Sequence, residues 1–456
     1  MNAFELRKAT TLGLLKEFQT LASSEPERLN AWIIARLGHL WRTARTSNSW
    51  WHHYLPPGGN VFGNSLRAEE ILQRVPVLTR TMIQEVSDFS AVWISGSNRL
   101  QYGIASTSGS TGKPVKVIKH APTYNPAVSA TSLLDAVWQK RQLTSPFVYL
   151  RAQGSRSGNF QINEPFSFLS EVGPTHVLRS TEYSTEQILD FMASINGSNV
   201  IGNATLLLAL AKEQIRNPRP QLNVLELMNW AEAMTPETRQ TLKQAFSAKI
   251  SDRYSTEELG SLAIQCPEAE HLHALQFFNF VEIVDEEGRA CDQGVPGRVV
   301  VTALHNFSQP LIRYEVGDVA SWQEPCAHGI NLPVLNPVIT RIRESIKLAD
   351  GRTIQPNATG SKIGKDAIVR DFQVLRFTDA ILVLYVSDSE LADIVKSVYA
   401  DDLKKRFATG DQVKFVRLPS NSEFREFKRR DFILRDEVLP SVASNEELSR
   451  LLTSIS

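Results

Sequence analysis

The opening residues, Met1 to Leu21, interrupt their apolar positions with Glu, Arg, Lys and Thr at helical spacing, and helical periodicity continues to about residue 90. This lead-in is rich in tryptophan and closes on Val75-Pro76-Val77-Leu78-Thr79, where proline bounds the run. From about 100 to 340 the pattern changes to short apolar runs alternating with helical segments. Residues 146–150 and 199–201 read as strands on either side of a helical stretch at 185–192. Residues 280–284 and 298–302 read as strands flanking the turn Asp285-Glu286-Glu287-Gly288. An Asp-Gly pair at 350–351 marks a hairpin. Beyond it, two strand-like runs at 373–377 and 380–386 precede a helix near 390–407. The pattern predicts an α/β fold: a large N-terminal domain of mixed sheets and helices over 1–342, with its helical lead-in at 1–90. A small α+β domain over 343–456 follows.

Composition narrows the class. The chain has 456 residues, enough for two or three domains of roughly 100–200 residues each. Hydrophobic residues at 42% and charged residues at 21% allow a large core. Lys plus Arg equals Asp plus Glu at 49 each, which argues against a protein built to grip nucleic acid or an anionic membrane. The N-terminus lacks the continuous apolar stretch of a signal peptide, and no run is long enough to cross a bilayer, so a cytoplasmic location is expected. Three cysteines, Cys266, Cys291 and Cys326, are too few for a disulfide framework.

The sharpest local signal is Ser106-Thr107-Ser108-Gly109-Ser110-Thr111-Gly112-Lys113-Pro114. Glycines and small hydroxylic residues let a backbone curl so that its N–H and O–H groups converge on phosphate oxygens. Lys113 or Lys116 would add charge. A Walker A loop needs Gly where Thr107 stands, and Ser or Thr where Pro114 stands, so that motif is excluded. Taken alone, the segment is also readable as a Ser/Gly-rich surface turn.

Two further segments follow in order, Asp252-Arg253-Tyr254-Ser255-Thr256-Glu257-Glu258-Leu259-Gly260 and Pro310-Leu311-Ile312-Arg313-Tyr314-Glu315-Val316-Gly317-Asp318. With the loop, they resemble the phosphate, aromatic-x-x-Thr-Glu and Arg-Tyr…Gly-Asp signatures of the acyl-adenylate-forming superfamily, patchily over residues 70–355. The aromatic and the Thr stand one residue closer here. Pro76-Val77-Leu78-Thr79-Arg80 and Leu311-Ile312-Arg313-Tyr314 are closest to the phenylacetate–coenzyme A ligase-like branch and its capsule-locus (CapK-like) relatives. The resemblance implies ATP- and magnesium-dependent activation of a carboxylic acid, aryl or similarly bulky, to an acyl-AMP. Transfer to CoA, a carrier-protein thiol or an amine would follow.

The resemblance also implies roles. Ser108, Gly109, Ser110, Thr111, Gly112 and Lys113 would hold the β and γ phosphates. Thr256 would lie near the α-phosphate, Glu257 would ligate magnesium, and Tyr254 would lie against adenine. Asp318 would accept hydrogen bonds from the ribose hydroxyls, with Arg341 beside it. Related ligases carry Cys and His at the first pair of places, here Cys266 and His273, and Cys-x-Cys-Gly at the second, where Cys326 is kept and His328 stands for the second Cys; the four would give a Cys2His2 set suited to structural zinc. Cys291 looks like a bystander.

Three departures stand out. The C-terminal lysine that bridges carboxylate and phosphate has no Gly-Lys counterpart here, and Lys428 is its nominee with Arg425 next. Glu344 stands where an Asp is common, and Ala231-Glu232 replaces a Gly-Glu pair. These changes leave open a second reading, a catalytically degenerate relative that binds nucleotide or acid and acts as an interaction protein.

Overall fold

A computed structural model describes the chain except residues 1, 48, 57–66, 86–101, 107–114, 152–157, 160–171, 181, 196, 337–339, 342–345, 348–352, 355–360, 366–367, 370, 377–379, 408, 419–431 and 435–456. The lead-in is helical as expected: α1 (Ala3–Ala22), α2 (Pro26–Ser47), α3 (Ser49–Tyr54), α4 (Ala68–Leu72) and α5 (Arg80–Glu85). Asn2 starts α1 with a reciprocal capping box, its side chain accepting from the Glu5 N–H while Glu5 reaches back to the Asn2 N–H.

A short antiparallel hairpin, β1 (Tyr102–Ser106) and β2 (Lys116–His120), then feeds α6 (Ala121–Trp138). The succeeding elements are β3 (Phe147–Arg151), β4 (Gly158–Asn159), β5 (Thr175–Arg179), α7 (Thr185–Ser194) and β6 (Ser198–Gly202). Next come α8 (Ala204–Arg216), β7 (Val224–Asn229), α9 (Pro236–Ala245), β8 (Lys249–Thr256), β9 (Gly260–Gln265) and β10 (Leu272–Ala274). Helices α7, α8 and α9 are N-capped by Ser184, Asn203 and Thr235, with Pro236 at the first helical position of α9. Strands β5, β3, β6, β7 and β8 run parallel, and β9 and β10 continue the sheet antiparallel. Every residue of β6 is buried, as a parallel strand covered on both faces requires.

A second sheet stacks β11 (Asn279–Val284), β12 (Gly297–Ala303), β13 (Tyr314–Ala320) and β15 (Thr340–Arg341); β14 (Val334–Leu335), which lies between β13 and β15 in the chain, pairs with β10 at the edge of the first sheet. Strands β16 (Ile346–Lys347) and β17 (Thr353–Ile354) pair antiparallel, and the Asp-Gly pair at 350–351 lies outside the described residues. After α10 (Lys362–Lys365), a separate sheet joins β18 (Asp371–Arg376), β19 (Ala380–Val386), β20 (Gln412–Leu418) and β21 (Phe432–Leu434). It carries α11 (Asp393–Phe407) and a core of its own around Tyr385, Leu403 and Phe407. The architecture is therefore the expected large α/β part followed by a small α+β unit.

Beneath the parallel strands lies a buried charge network. Arg141, just past α6, grips Glu226 of β7 through Nε and Nη2, at 2.6 and 2.9 Å, and Asp135 through Nη1 at 3.0 Å. Arg253 of β8 reaches the same Asp135 at 2.6 Å, and Ser251 donates to Glu226. The two guanidinium groups hold the buried Asp135 carboxyl below its usual range against the effect of burial. The network fixes α6 over the sheet, which matters for the cavity described below.

Candidate active site and metal cluster

The Tyr-Ser-Thr-Glu-Glu segment leaves the end of β8 and turns back into β9. Thr256 Oγ1 accepts from the Leu259 N–H at 3.2 Å and closes the turn. Gly260 has φ +74°, and a Cβ there would stand 2.8 Å from the Tyr124 hydroxyl, so glycine is required twice over. The turn separates its two glutamates. Glu258 is buried, with Tyr314 Oη donating to it at 3.3 Å and Arg80 ion-paired with it at 3.8 Å. Glu257 is exposed. Lys119 of β2 donates to the Glu257 carbonyl at 2.6 Å while its ammonium sits 4.8 Å from the centre of the Tyr124 ring. Burial lowers the Lys119 pKa, and the nearby Glu257 and Glu258 charges oppose that shift.

Tyr254 donates its hydroxyl to Asp318 Oδ2 at 2.6 Å, and Asp318 pairs across β13–β15 with Arg341. Three residues nominated around the nucleoside thus share one place, although only the backbone of Arg341 is described. The two branch-specific phrases also interlock. Leu78 N–H donates to the Arg313 carbonyl, Glu315 N–H donates to the Leu78 carbonyl, and Arg313 donates to the Val75 and Gly288 carbonyls. Arg313 is additionally paired with buried Glu282 at 3.1 Å and has φ +52°. Leu-Ile-Arg-Tyr is thus a structural clasp for the lead-in.

Ala231, in place of glycine, keeps a left-handed φ of +64°. Its neighbour Glu232 accepts from Asn203 Nδ2 at 2.8 Å and from the Thr205 N–H at 2.9 Å, satisfying the start of α8. Ser108, Gly109, Ser110, Thr111, Gly112 and Lys113 lie outside the described residues, as do Lys428 and Arg425. The strands on either side of the segment pair directly, Ser106 with Lys116. Lys119, three residues on from Lys116, was not singled out by the sequence.

A cluster of sulfur and imidazole lies at the β9–β10 edge. One ligand atom each from Cys266, His271, His273 and Cys326 falls within 4.8 Å of the others. The two sulfurs are 3.9 Å apart, and His328 Nδ1 lies 3.3 Å from Cys326 and 3.7 Å from Cys266. Two thiolates each about 2.3 Å from one tetrahedral ion would stand roughly 3.8 Å apart, so the spacing fits zinc. His273 Nδ1 is 3.1 Å from the Leu332 carbonyl, the outer contact that fixes a ligand's tautomer. Nε2 of His273 and Nε2 of His271 are buried with no hydrogen-bond partner. Burial brings the His273 pKa down to about 4, keeping its ring neutral. His271 joins the four residues named from sequence; standing two positions from His273, it shares a side of the extended segment, and that spacing would have identified it.

Between α6 and the parallel strands is a cavity of about 240 Å³. Register places Val177, Tyr149, Ile201, Met228 and Ser251 in one row across the sheet beneath it. One row nearer the carboxyl ends of the strands stand Arg151, Trp230 and Arg253, while Val128, Ser132 and Asp135 of α6 form the roof. Trp230 is followed by Ala231 and Glu232, and Arg253 by Tyr254, so the cavity mouth and Tyr254 share the ends of β7 and β8. Open α/β sheets bind ligands in this place.

The fold is one shared with solved CoA ligases. The solved structures that share it include 2-hydroxyisobutyryl-CoA ligase in the postadenylation state with R3-HIB-AMP, 14% identical, covering 96% of this chain and 94% of that one at a TM-score of 0.73. The same ligase in the thioesterification state with 2-HIB-AMP and CoA, 16% identical over the same shares, gives 0.60. The anthranilate CoA ligase AuaEII in complex with anthranoyl-AMP, 14% identical, covers 73% of this chain and 67% of that one at 0.51. No protein-family model and no curated protein match the sequence. Among the described residues no helix is long and apolar enough to cross a membrane.

Proposed function

We propose that the protein uses ATP and magnesium to activate a carboxylic acid as an acyl-AMP, releasing pyrophosphate, and then passes the acyl group to CoA or another thiol or amine. The observation that carries this reading is the meeting of Tyr254 and Asp318 at the strand ends beside the exposed Glu257. Asp318 accepts from the ribose hydroxyls, with Arg341 beside it on the paired strand, and Tyr254 packs against the adenine. Thr256, fixed by its turn, faces the α-phosphate. Glu257 would hold magnesium, which supplies charge compensation for the departing pyrophosphate. The segment Ser108 to Lys113 grips the β and γ phosphates, and Lys428 of the mobile C-terminal domain, residues 343–456, neutralises the attacking end.

The acid occupies the cavity beneath α6, whose Phe147, Tyr149, Met228 and Trp230 suit a single ring or a short chain. Catalysis is mostly positioning, because the reactants supply nucleophile and leaving group themselves. CoA as acceptor is favoured by the bound CoA of the 2-hydroxyisobutyryl-CoA ligase complex. Cys266, Cys326, His273 and either His271 or His328 would hold a structural zinc that ties the β9–β10 edge to the 326–328 loop.

The test is product identity. ATP, magnesium and a panel of aryl, aliphatic and amino acids should give AMP and pyrophosphate in an acid-dependent manner. ADP and phosphate as products would reject the reading, and nucleotide binding without turnover would favour a degenerate relative.

A further inference from the structure

The cavity beneath α6 has an apolar floor and a cationic mouth. Of the lining charges, Arg141 is consumed by Asp135 and Glu226, and Arg253 by Asp135. Asp252 accepts from the Asn229 amide and from the Arg253 N–H, and burial pushes its carboxyl up, toward the neutral form. Arg151 is different. It ends β3 with its guanidinium 5.3 Å from the centre of the Trp230 ring, and Tyr149 stands edge-on to the same indole at 6.3 Å. Among the described residues its side chain has no carboxylate and no carbonyl partner. An arginine laid on an indole keeps its in-plane N–H fork free for a planar anion, and its orientation is already fixed.

We propose that Arg151 is a specificity-determining residue, and that the cavity selects small acids carrying a second anionic group, such as a second carboxylate. The proposal rests on the reading of this cavity as the acid site. The distal anion lies in the plane of the Arg151 guanidinium, the body of the acid lies over Tyr149, Ile201 and Met228, and the reacting carboxylate points past Arg253 toward Thr256. The volume of about 240 Å³ excludes long chains and leaves room for one ring or a short diacid. A site built to bond a charged group rejects the analogue that lacks it far more strongly than an apolar wall rejects a change of one methylene.

The experiment compares pairs that share a carbon skeleton and differ in the second carboxylate, hexanoate with adipate and benzoate with isophthalate, by acid-dependent pyrophosphate release and, separately, by thermal protection without ATP. The wild type should favour the diacid of at least one pair by about tenfold or more in kcat/KM. Arg151→Met should lower that diacid-to-monoacid ratio by roughly tenfold to a hundredfold, with Arg151→Lys between the two. Equal loss on both members of a pair would overturn the proposal and place Arg151 on the reacting carboxylate. A wild-type preference for the monoacids in both pairs would also overturn it. Thermal protection keeps the two readings apart. Selective protection by a diacid that Arg151→Met abolishes, with no pyrophosphate from any acid, would support the anion subsite and reject the adenylation reading. Equal protection by both members in both proteins would reject the subsite.

Discussion

Glu257 and Glu258 are adjacent in the chain and chemically identical, yet the turn after β8 gives them opposite surroundings. Glu258 is buried and bonded, so Glu258→Ala should cost about 1–3 kcal/mol of stability in denaturant titration. Glu257→Ala should leave stability nearly unchanged and raise the magnesium requirement for pyrophosphate release. Asp318→Ala should weaken ATP or transition-state binding by about 1.5–3 kcal/mol. If Glu257→Ala turns over at the wild-type rate, magnesium is held elsewhere. His305 offers a test of pH dependence. It is buried between the Phe277 carbonyl, 3.0 Å from Nε2, and Arg36, 3.1 Å from Nδ1, and burial lowers its pKa to about 3. A folded value below the unfolded value of about 6.5 means the unfolded chain takes up the proton first. Its contribution is therefore full above about pH 6.5 and is lost as pH falls toward 3, amounting to about 2 kcal/mol between pH 7.5 and 5.0. His305→Gln can keep both hydrogen bonds and cannot titrate, so wild type minus variant isolates this slope. Parallel stability curves would reject it.

At the scale of elements, the sulfur and imidazole cluster joins the β9–β10 edge to a loop some fifty residues further along the chain. A structural ion there contributes folding free energy directly. Elemental analysis of freshly purified protein should find one zinc per chain, and Cys326→Ser should lose the metal and lower the melting temperature. His271→Ala and His328→Ala then decide the fourth ligand, because one should release zinc at a chelator concentration the other withstands. Absence of zinc, with stability unchanged in chelator, would reject the site. The Arg313 clasp belongs to this scale as well: a phrase that reads in sequence like a family signature is held in place by the Val75, Gly288 and Leu78 backbones.

At the scale of the whole molecule, the small α+β unit that follows the large α/β part has a sheet and a core of its own. If the C-terminal domain swings between the two half-reactions about the segment near residue 343, Lys428 would act in the first of them. Lys428→Ala should then slow acyl-AMP formation by several orders of magnitude and leave transfer from pre-formed acyl-AMP largely intact. Arg425→Ala should be mild. The reverse ranking would move the role to Arg425, whose guanidinium can clamp two oxygens. If neither matters, Lys119, already bonded to the Glu257 carbonyl, is the next cation to replace.

The sequence by itself determined the elements, because periodicity is local: a helical lead-in to about residue 90, short strands as apolar runs, and a small α+β unit after them all follow from it. It also placed Tyr254, Thr256, Glu257 and Asp318 in one order along the chain. Tertiary structure decided what meets what. The sheet register set Arg151 on Trp230 across a gap of 79 positions, and no spacing rule spans that distance. The turn after β8 buried one glutamate and exposed the next. The fold brought His271 to two cysteines, left its Nε2 without a partner, and turned a lysine beyond the phosphate loop onto the Glu257 carbonyl. Those contacts depend on which strand lies beside which, and side-chain identity carries that information only once the chain has closed.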